Sequence, residues 1–247
     1  MNNLFSEEKK ADNDLFSVDG SDSVLSAYID HTLLAPTATR EQVIKLCSEA
    51  NDMHFASVCV NSKHCALAVA SVNPPIKVCC VVGFPLGASL STVKATEAVE
   101  CIKLGAQEID MVIDIGAAKE KDFEAVKNDI ALVVAAVSKA TTEYNLSPCI
   151  VKCIIETALL DEEEKRKCCI AASQAGANYV KTSTGFSTSG ATSLDVANMR
   201  KWAALPVKAS GGIRTLSQAQ EMIKAGASRL GCSASVSIIE SFKNKDI

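Results

Sequence analysis

Lys181 lies in the stretch Asn178-Tyr179-Val180-Lys181-Thr182-Ser183-Thr184-Gly185. Its residue types favour a pleated strand that breaks at the glycine. Alternation sets Tyr179, Lys181 and Ser183 on one face and Val180 and Thr182 on the other. A lysine inside such a strand is unusual, because lysine is almost never fully buried without a partner. Turned inward, it must be matched by an anion or give up its proton, and a neutral amine attacks carbonyls. An isolated lysine has a pKa of about 10.4, so at pH 7 roughly one in a few thousand is neutral. A second ammonium and an apolar wall can bring that value down to about 7.

Other strand-like stretches carry charge on one face only. In Glu108-Ile109-Asp110-Met111-Val112-Ile113-Asp114 one face is rich in carboxylates. In Val151-Lys152-Cys153-Ile154-Ile155-Glu156 one face holds Lys152, Ile154 and Glu156. In Pro206-Val207-Lys208-Ala209-Ser210, Lys208 opposes Val207 and Ala209. If the apolar faces meet helices, Asp110, Asp114, Lys152, Glu156, Lys181 and Lys208 share one interior. Each uncompensated buried charge would cost several kcal/mol, so they must pair. For Lys152 and Glu156 the better reading is structural, as members of a set of internal salt bridges. Lys181, Lys208 and Asp110 read as functional, because they fall near strand C-terminal ends, where barrel sites form.

A second chemistry is anion binding. Ser210-Gly211-Gly212-Ile213-Arg214-Thr215 and Gly231-Cys232-Ser233-Ala234-Ser235 follow the last two strand candidates, and Gly185 follows the sixth. Glycines let backbone N–H groups approach a phosphate, and a helix N-terminus adds a favourable dipole.

The elements that must position these groups alternate along the chain. Strands are expected at 27–30, 55–60, 77–82, 108–114, 149–156, 179–183, 206–210 and 229–232. Helices are expected at 39–50, with Thr39 as a capping residue, and at 63–71, 92–104, 122–142, 161–175, 195–204, 217–225 and 236–242. Eight of each argue for an α/β fold, a single (β/α)8 TIM barrel, over a doubly wound sheet. No G-x-G-x-x-G follows an early strand. Residues 1–23 are polar and acid-leaning and read as a flexible N-terminal tail; residues 24–247 read as the barrel domain.

The 247 residues carry a net charge of −4 and are 48% hydrophobic, which disfavours nucleic acid or an anionic membrane as a partner. The eleven cysteines are odd in number, irregularly spaced and without a C-x-x-C. They read as buried small hydrophobes in a reducing compartment, with no metal expected. No signal peptide or membrane-length apolar run is read, so a cytoplasmic location is expected. His31 reads as part of the first strand-to-helix loop.

Six segments together resemble deoxyribose-phosphate aldolase of the class I, Schiff-base type. They are Asp30-His31-Thr32-Leu33-Leu34, Val82-Gly83-Phe84-Pro85-Leu86-Gly87, Glu108-Ile109-Asp110-Met111-Val112, Ile154-Ile155-Glu156-Thr157, Val180-Lys181-Thr182-Ser183-Thr184-Gly185-Phe186 and Val207-Lys208-Ala209-Ser210-Gly211-Gly212-Ile213-Arg214. The resemblance spans about residues 27–234. It implies cleavage of 2-deoxyribose 5-phosphate to acetaldehyde and glyceraldehyde 3-phosphate, with no cofactor and no metal. It implies Lys181 as the Schiff-base lysine, Lys208 as the second lysine that holds the first one's pKa down, and Asp110 as the proton relay. Asp30, Cys59, Thr182 and Thr184 are implied at the substrate, and Gly185, Gly211, Gly212, Gly231 and Ser233 at its phosphate. A homodimer is compatible with this reading.

Three departures stand out. Asp114 replaces an Asn common in relatives. Ala234 removes a hydroxyl from the last loop. The C-terminal segment 242–247 has no tyrosine. A sugar-phosphate isomerase or a phosphometabolite-binding barrel remain the alternatives.

Overall fold

The computed structural model describes residues 22–244. Most of the expected tail, and the last residues of the tyrosine-free C-terminus, lie outside them. Eight strands close into one parallel barrel in sequence order. They are β1 (Ile29–Leu33), β2 (Ser57–Asn61), β3 (Lys77–Val82), β4 (Glu108–Val112), β5 (Ile150–Ile154), β6 (Tyr179–Lys181), β7 (Val207–Ser210) and β8 (Ala227–Cys232).

The α-helices among the described residues are α1 (Asp22–Ser26), α2 (Arg40–Met53), α3 (Cys65–Val69), α4 (Ser91–Lys103) and α5 (Ile115–Lys119). They continue with α6 (Phe123–Glu143), α7 (Glu162–Gln174), α8 (Ser193–Ala203), α9 (Leu216–Lys224) and α10 (Ser235–Lys243). The expected fold class is therefore found. Two short helices, α1 and α5, add to the eight expected. The helix expected at 63–71 is split into a 3₁₀ turn, Ser62–His64, and α3. Asp22, where α1 begins, falls inside the stretch read as tail.

Local chemistry explains the joints. Thr39 and Gln42 form a reciprocal capping box at the start of α2, and Asp161 and Glu164 do the same for α7. Gly105, Gly176 and Gly226 close the helix-to-strand turns with positive φ, a conformation that costs other residues a steric clash. The 108–114 strand ends early. Asp114 accepts from Ala117 N at 2.9 Å and caps α5, so it is not an interior charge.

Two apolar regions sandwich the strands. Ile109, Met111, Val151, Cys153, Val180, Val207 and Ala209 turn outward into the helix layer. Burial of a large aliphatic side chain of this kind contributes about 1.5–3 kcal/mol. Inside, Leu34, Cys59, Cys79 and Val81 form a small cluster with Phe84 packed against it. The remaining inward positions carry charge, and register decides who meets whom. Asp110 lies beside Lys152 on β5, Lys181 beside Lys208 on β7, and Asp30 beside Gly231 on β8.

Candidate active site

Asp110 is the centre of the barrel interior and is fully buried. Its Oδ2 accepts from Lys181 Nζ and from Lys208 Nζ, each at 2.7 Å. Its Oδ1 accepts from Lys152 Nζ at 2.8 Å and from the Cys79 thiol at 3.1 Å. Lys152 also meets Glu108 Oε2 at 2.6 Å. Lys208 makes a second ion pair to Asp30, and Arg229 bridges Asp30 and Glu108, the latter at 3.1 Å.

The electrostatics follow from these contacts. Burial pushes the Asp110 carboxyl up, but Lys152, Lys181 and Lys208 outweigh it and hold it well below the usual carboxylate range. Asp30 behaves likewise, with burial opposed by Lys208, Arg229 and Lys152. Burial pulls the Lys208 pKa down, yet Asp110 and Asp30 raise it above the ordinary lysine value, so Lys208 stays a cation. Lys152 is raised well above that value by the same opposition. The cluster holds four basic groups, Lys152, Lys181, Lys208 and Arg229, against three carboxylates, Asp30, Glu108 and Asp110. One basic group is in excess, so the ensemble stays balanced when one amine is unprotonated.

The expected geometry of the two lysines differs in one respect. The sequence reading set Lys208 directly against Lys181 as a repelling neighbour. In the structure both nitrogens sit on one carboxylate oxygen, which brings them close while offsetting their repulsion.

Above this cluster opens a cavity of about 370 Å³. Lys181 lines it, as do Thr184, Gly185, Gly211, Gly212, Gly231 and Ser233, together with Thr32, Phe186, Ser210 and Arg214. Lysine and glycine loops thus face one space. Gly185 and Gly211 adopt φ of 85° and 87°. A Cβ built at Gly231 would come within 3.1 Å of Lys208 Cε, so this glycine makes room for the lysine shaft.

Other expected residues stand elsewhere. The Thr182 hydroxyl is occupied by the β7 backbone: it donates to Ser210 O at 3.1 Å and accepts from Ser210 N at 3.0 Å. Cys59 is fully buried beside Cys79 on the neighbouring strand and does not line the cavity. Asp30 is buried among Lys208 and Arg229. Thr184 reaches the cavity, but its hydroxyl donates to Glu156. Lys152 makes the expected interior salt bridges, to Glu108 and Asp110, whereas Glu156 is not part of them and accepts from Thr184. His31 is in β1, not a loop, and packs outward on Phe55 with Nε2 2.9 Å from Glu49.

Sequence reasoning missed Glu108 as an interior anion, Cys79 as a donor to Asp110, and Arg229. Gly190 was also missed, and a Cβ there would lie 2.1 Å from Gly211 O.

Among the described residues, Cys59, Cys79 and Asp110 have ligand atoms close enough together to hold a metal ion. Both Asp110 oxygens already accept from ammonium groups, so a cation entering there would have to displace them. All eleven cysteines are free thiols, and only Cys149 is not buried. No helix among the described residues is long and apolar enough to cross a membrane.

Comparison with known proteins gives a consistent result. Residues 24–235 match the model of the DeoC/LacD family aldolases. A deoxyribose-phosphate aldolase of Halalkalibacterium halodurans is 53% identical over 220 residues, covering 87% of this chain and 94% of that protein. One from Thermococcus kodakarensis is 51% identical over 221 residues, covering 87% and 96%. Among solved structures, the tetrameric deoxyribose phosphate aldolase of Aeropyrum pernix superposes with a TM-score of 0.81 at 33% identity, covering 96% of this chain and 98% of that one. The aldolase QR15 gives 0.83 at 36% identity, covering 93% and 98%.

Proposed function

The chain belongs to the DeoC/LacD aldolase family, and from that premise we propose that it reversibly cleaves 2-deoxyribose 5-phosphate to acetaldehyde and glyceraldehyde 3-phosphate through a Schiff base on Lys181. One observation carries the assignment of residues. Of the three amines on Asp110, only Lys181 lines the cavity, and the glycine turns line the same cavity.

The free amine of Lys181 attacks C1 of the open-chain aldehyde. The carbinolamine loses water and becomes an iminium. The C2–C3 electron pair then flows into the iminium as an enamine forms, while the C3 hydroxyl loses its proton and C3 becomes the aldehyde of glyceraldehyde 3-phosphate. The enamine takes a proton at C2, and water releases acetaldehyde and regenerates the amine.

Asp110 relays protons between Lys181 and the carbinolamine without keeping one itself, a general acid/base role worth about 10²–10⁴ in rate. Lys208 stays charged and keeps Asp110 ionised. The turns at Gly185, Gly211, Gly212 and Gly231 and the Ser233 hydroxyl hold the phosphate and fix the distance from it to C1. The substrate is a small sugar phosphate. Eleven free thiols fit a reducing cytoplasm.

Turnover of 2-deoxyribose 5-phosphate, with aldehyde-dependent borohydride reduction onto Lys181, tests the reading. An isomerase or a binding protein on this barrel would show no such mass gain.

A further inference from the structure

Glu156 is a carboxylate that the mechanism above does not use. It is 2% exposed and its backbone adopts φ of 58°, in the left-handed region. Burying a carboxylate is costly unless it is fully hydrogen-bonded, and a left-handed backbone at a residue other than glycine costs about 1–3 kcal/mol. Both costs fall on one residue, and such strain persists only where the surroundings over-determine it.

Among the described residues, what reaches the carboxylate is one neutral residue. Thr184 N donates to Glu156 Oε2 at 3.2 Å, and the Thr184 hydroxyl donates to the same oxygen. The Thr184 hydroxyl oxygen then accepts from Phe186 N at 3.0 Å. The chain of contacts therefore runs from the top of β5, through Glu156 and Thr184, into the turn 184–186. Thr184, Gly185 and Phe186 all line the cavity. A Cβ at Gly185 would stand 3.9 Å from Gly211 Cα, so this turn faces the β7 glycines across the space. The neighbouring Thr157 supports the same joint, with its N donating to Thr182 O at 3.0 Å.

We infer that Glu156 is a positioning residue that locks the turn Thr184–Phe186 against the phosphate and thereby sets the preference for a phosphorylated over an unphosphorylated sugar. The inference rests on the proposed function, in which this turn grips the phosphate. Glu156 itself touches no reacting atom. It acts by spending the Thr184 N–H and O–H internally, so that the turn has one shape before the ligand arrives. An anion at the cavity would meet a preformed cradle, and the ordering cost would already be met.

The test compares the intact wild-type chain with Glu156→Ala, Glu156→Gln and Thr184→Val. The readouts are KM and kcat for 2-deoxyribose 5-phosphate and for 2-deoxyribose, and competitive inhibition by inorganic phosphate. A hydrogen bond to a charged group is worth enough that Glu156→Ala should raise KM for the phosphorylated sugar and Ki for phosphate by about 10-fold or more. Its kcat/KM on 2-deoxyribose should fall far less. Glu156→Gln, which keeps an acceptor oxygen, should recover most of the loss, and the Glu156→Ala/Thr184→Val double variant should be no worse than either single one. If Glu156→Ala does not fold, Glu156→Gln and Thr184→Val carry the comparison, and unchanged phosphate inhibition in both overturns the inference. Equal proportional losses on the two sugars also overturn it. A wild-type chain that turns over neither sugar would instead remove the reading of the site beneath it.

Discussion

The amines of Lys181 and Lys208 meet on a single oxygen, each Nζ 2.7 Å from Asp110 Oδ2. They come from neighbouring strands at register-paired positions. The arrangement gives the two lysines different duties. Lys208 has a second carboxylate, Asp30, and no place at the cavity. Lys181 has the cavity.

Removing the shared charge should be severe. Asp110→Asn leaves three ammonium groups around a neutral amide. Breaking a buried ion pair by deleting one partner costs about 3–5 kcal/mol, so thermal unfolding should shift markedly downward. The folded fraction should also lose about 10²–10⁴ in kcat. A variant with wild-type kcat would show that Asp110 is structural only.

Lys208→Leu separates the second lysine from the first. Without that cation Asp110 loses one of the charges that keep it ionised. The expected outcome is a fall of about 10²-fold or more in kcat/KM, with borohydride trapping at Lys181 slowed but not abolished. Trapping at the wild-type rate would argue against any coupling between the two amines.

The loop behind the glycine turns gives a steric prediction. At Gly190 an added Cβ would lie 2.1 Å from Gly211 O, so Gly190→Ala must move the β7 turn. Such a shift typically costs about 1–3 kcal/mol, and KM for 2-deoxyribose 5-phosphate should rise. Steady-state kinetics check it, and an unchanged KM would place the phosphate elsewhere.

Acid stability follows from the interior carboxylates. Asp30 and Asp110 both have folded pKa values below the ordinary 3.8. The unfolded chain therefore binds protons first as pH falls, and folding is weakened. Their contribution is fully present above about pH 5 and is lost as pH falls through 3.8 toward the folded values. Urea unfolding measured from pH 6 to pH 2 should show falling stability over the acid half of that range. A flat profile would mean that these carboxylates are not ionised partners in the folded state.

Much of this was legible in the chain. The third strand, Lys77–Val82, has the bounds read from its apolar run and the Pro-Pro stop before it. Lys181, Lys208 and Asp110 could be placed together because strand alternation and the order of elements fix both face and neighbour. Asp114 was misplaced because its alternation continues past the last ladder bond, and only the contact to Ala117 N shows that it caps a helix. Lys152 joins the interior salt bridges as expected, through Glu108 and Asp110. Glu156 does not, because it lies past the end of β5 and its carboxylate accepts from Thr184 instead. Arg229 was invisible because its partners, Asp30 and Glu108, come from strands far away in sequence. The left-handed backbone of Glu156 has no signature in residue type.

The central claim is that Lys181 carries the covalent intermediate. The most direct measurement is borohydride reduction of the wild-type chain with 2-deoxyribose 5-phosphate or acetaldehyde, followed by peptide mapping, beside Lys181→Met. The account predicts one aldehyde-dependent adduct on the peptide containing Lys181, and loss of both adduct and turnover in the variant. An adduct on Lys208 or Lys152, or turnover that survives Lys181→Met, would contradict it.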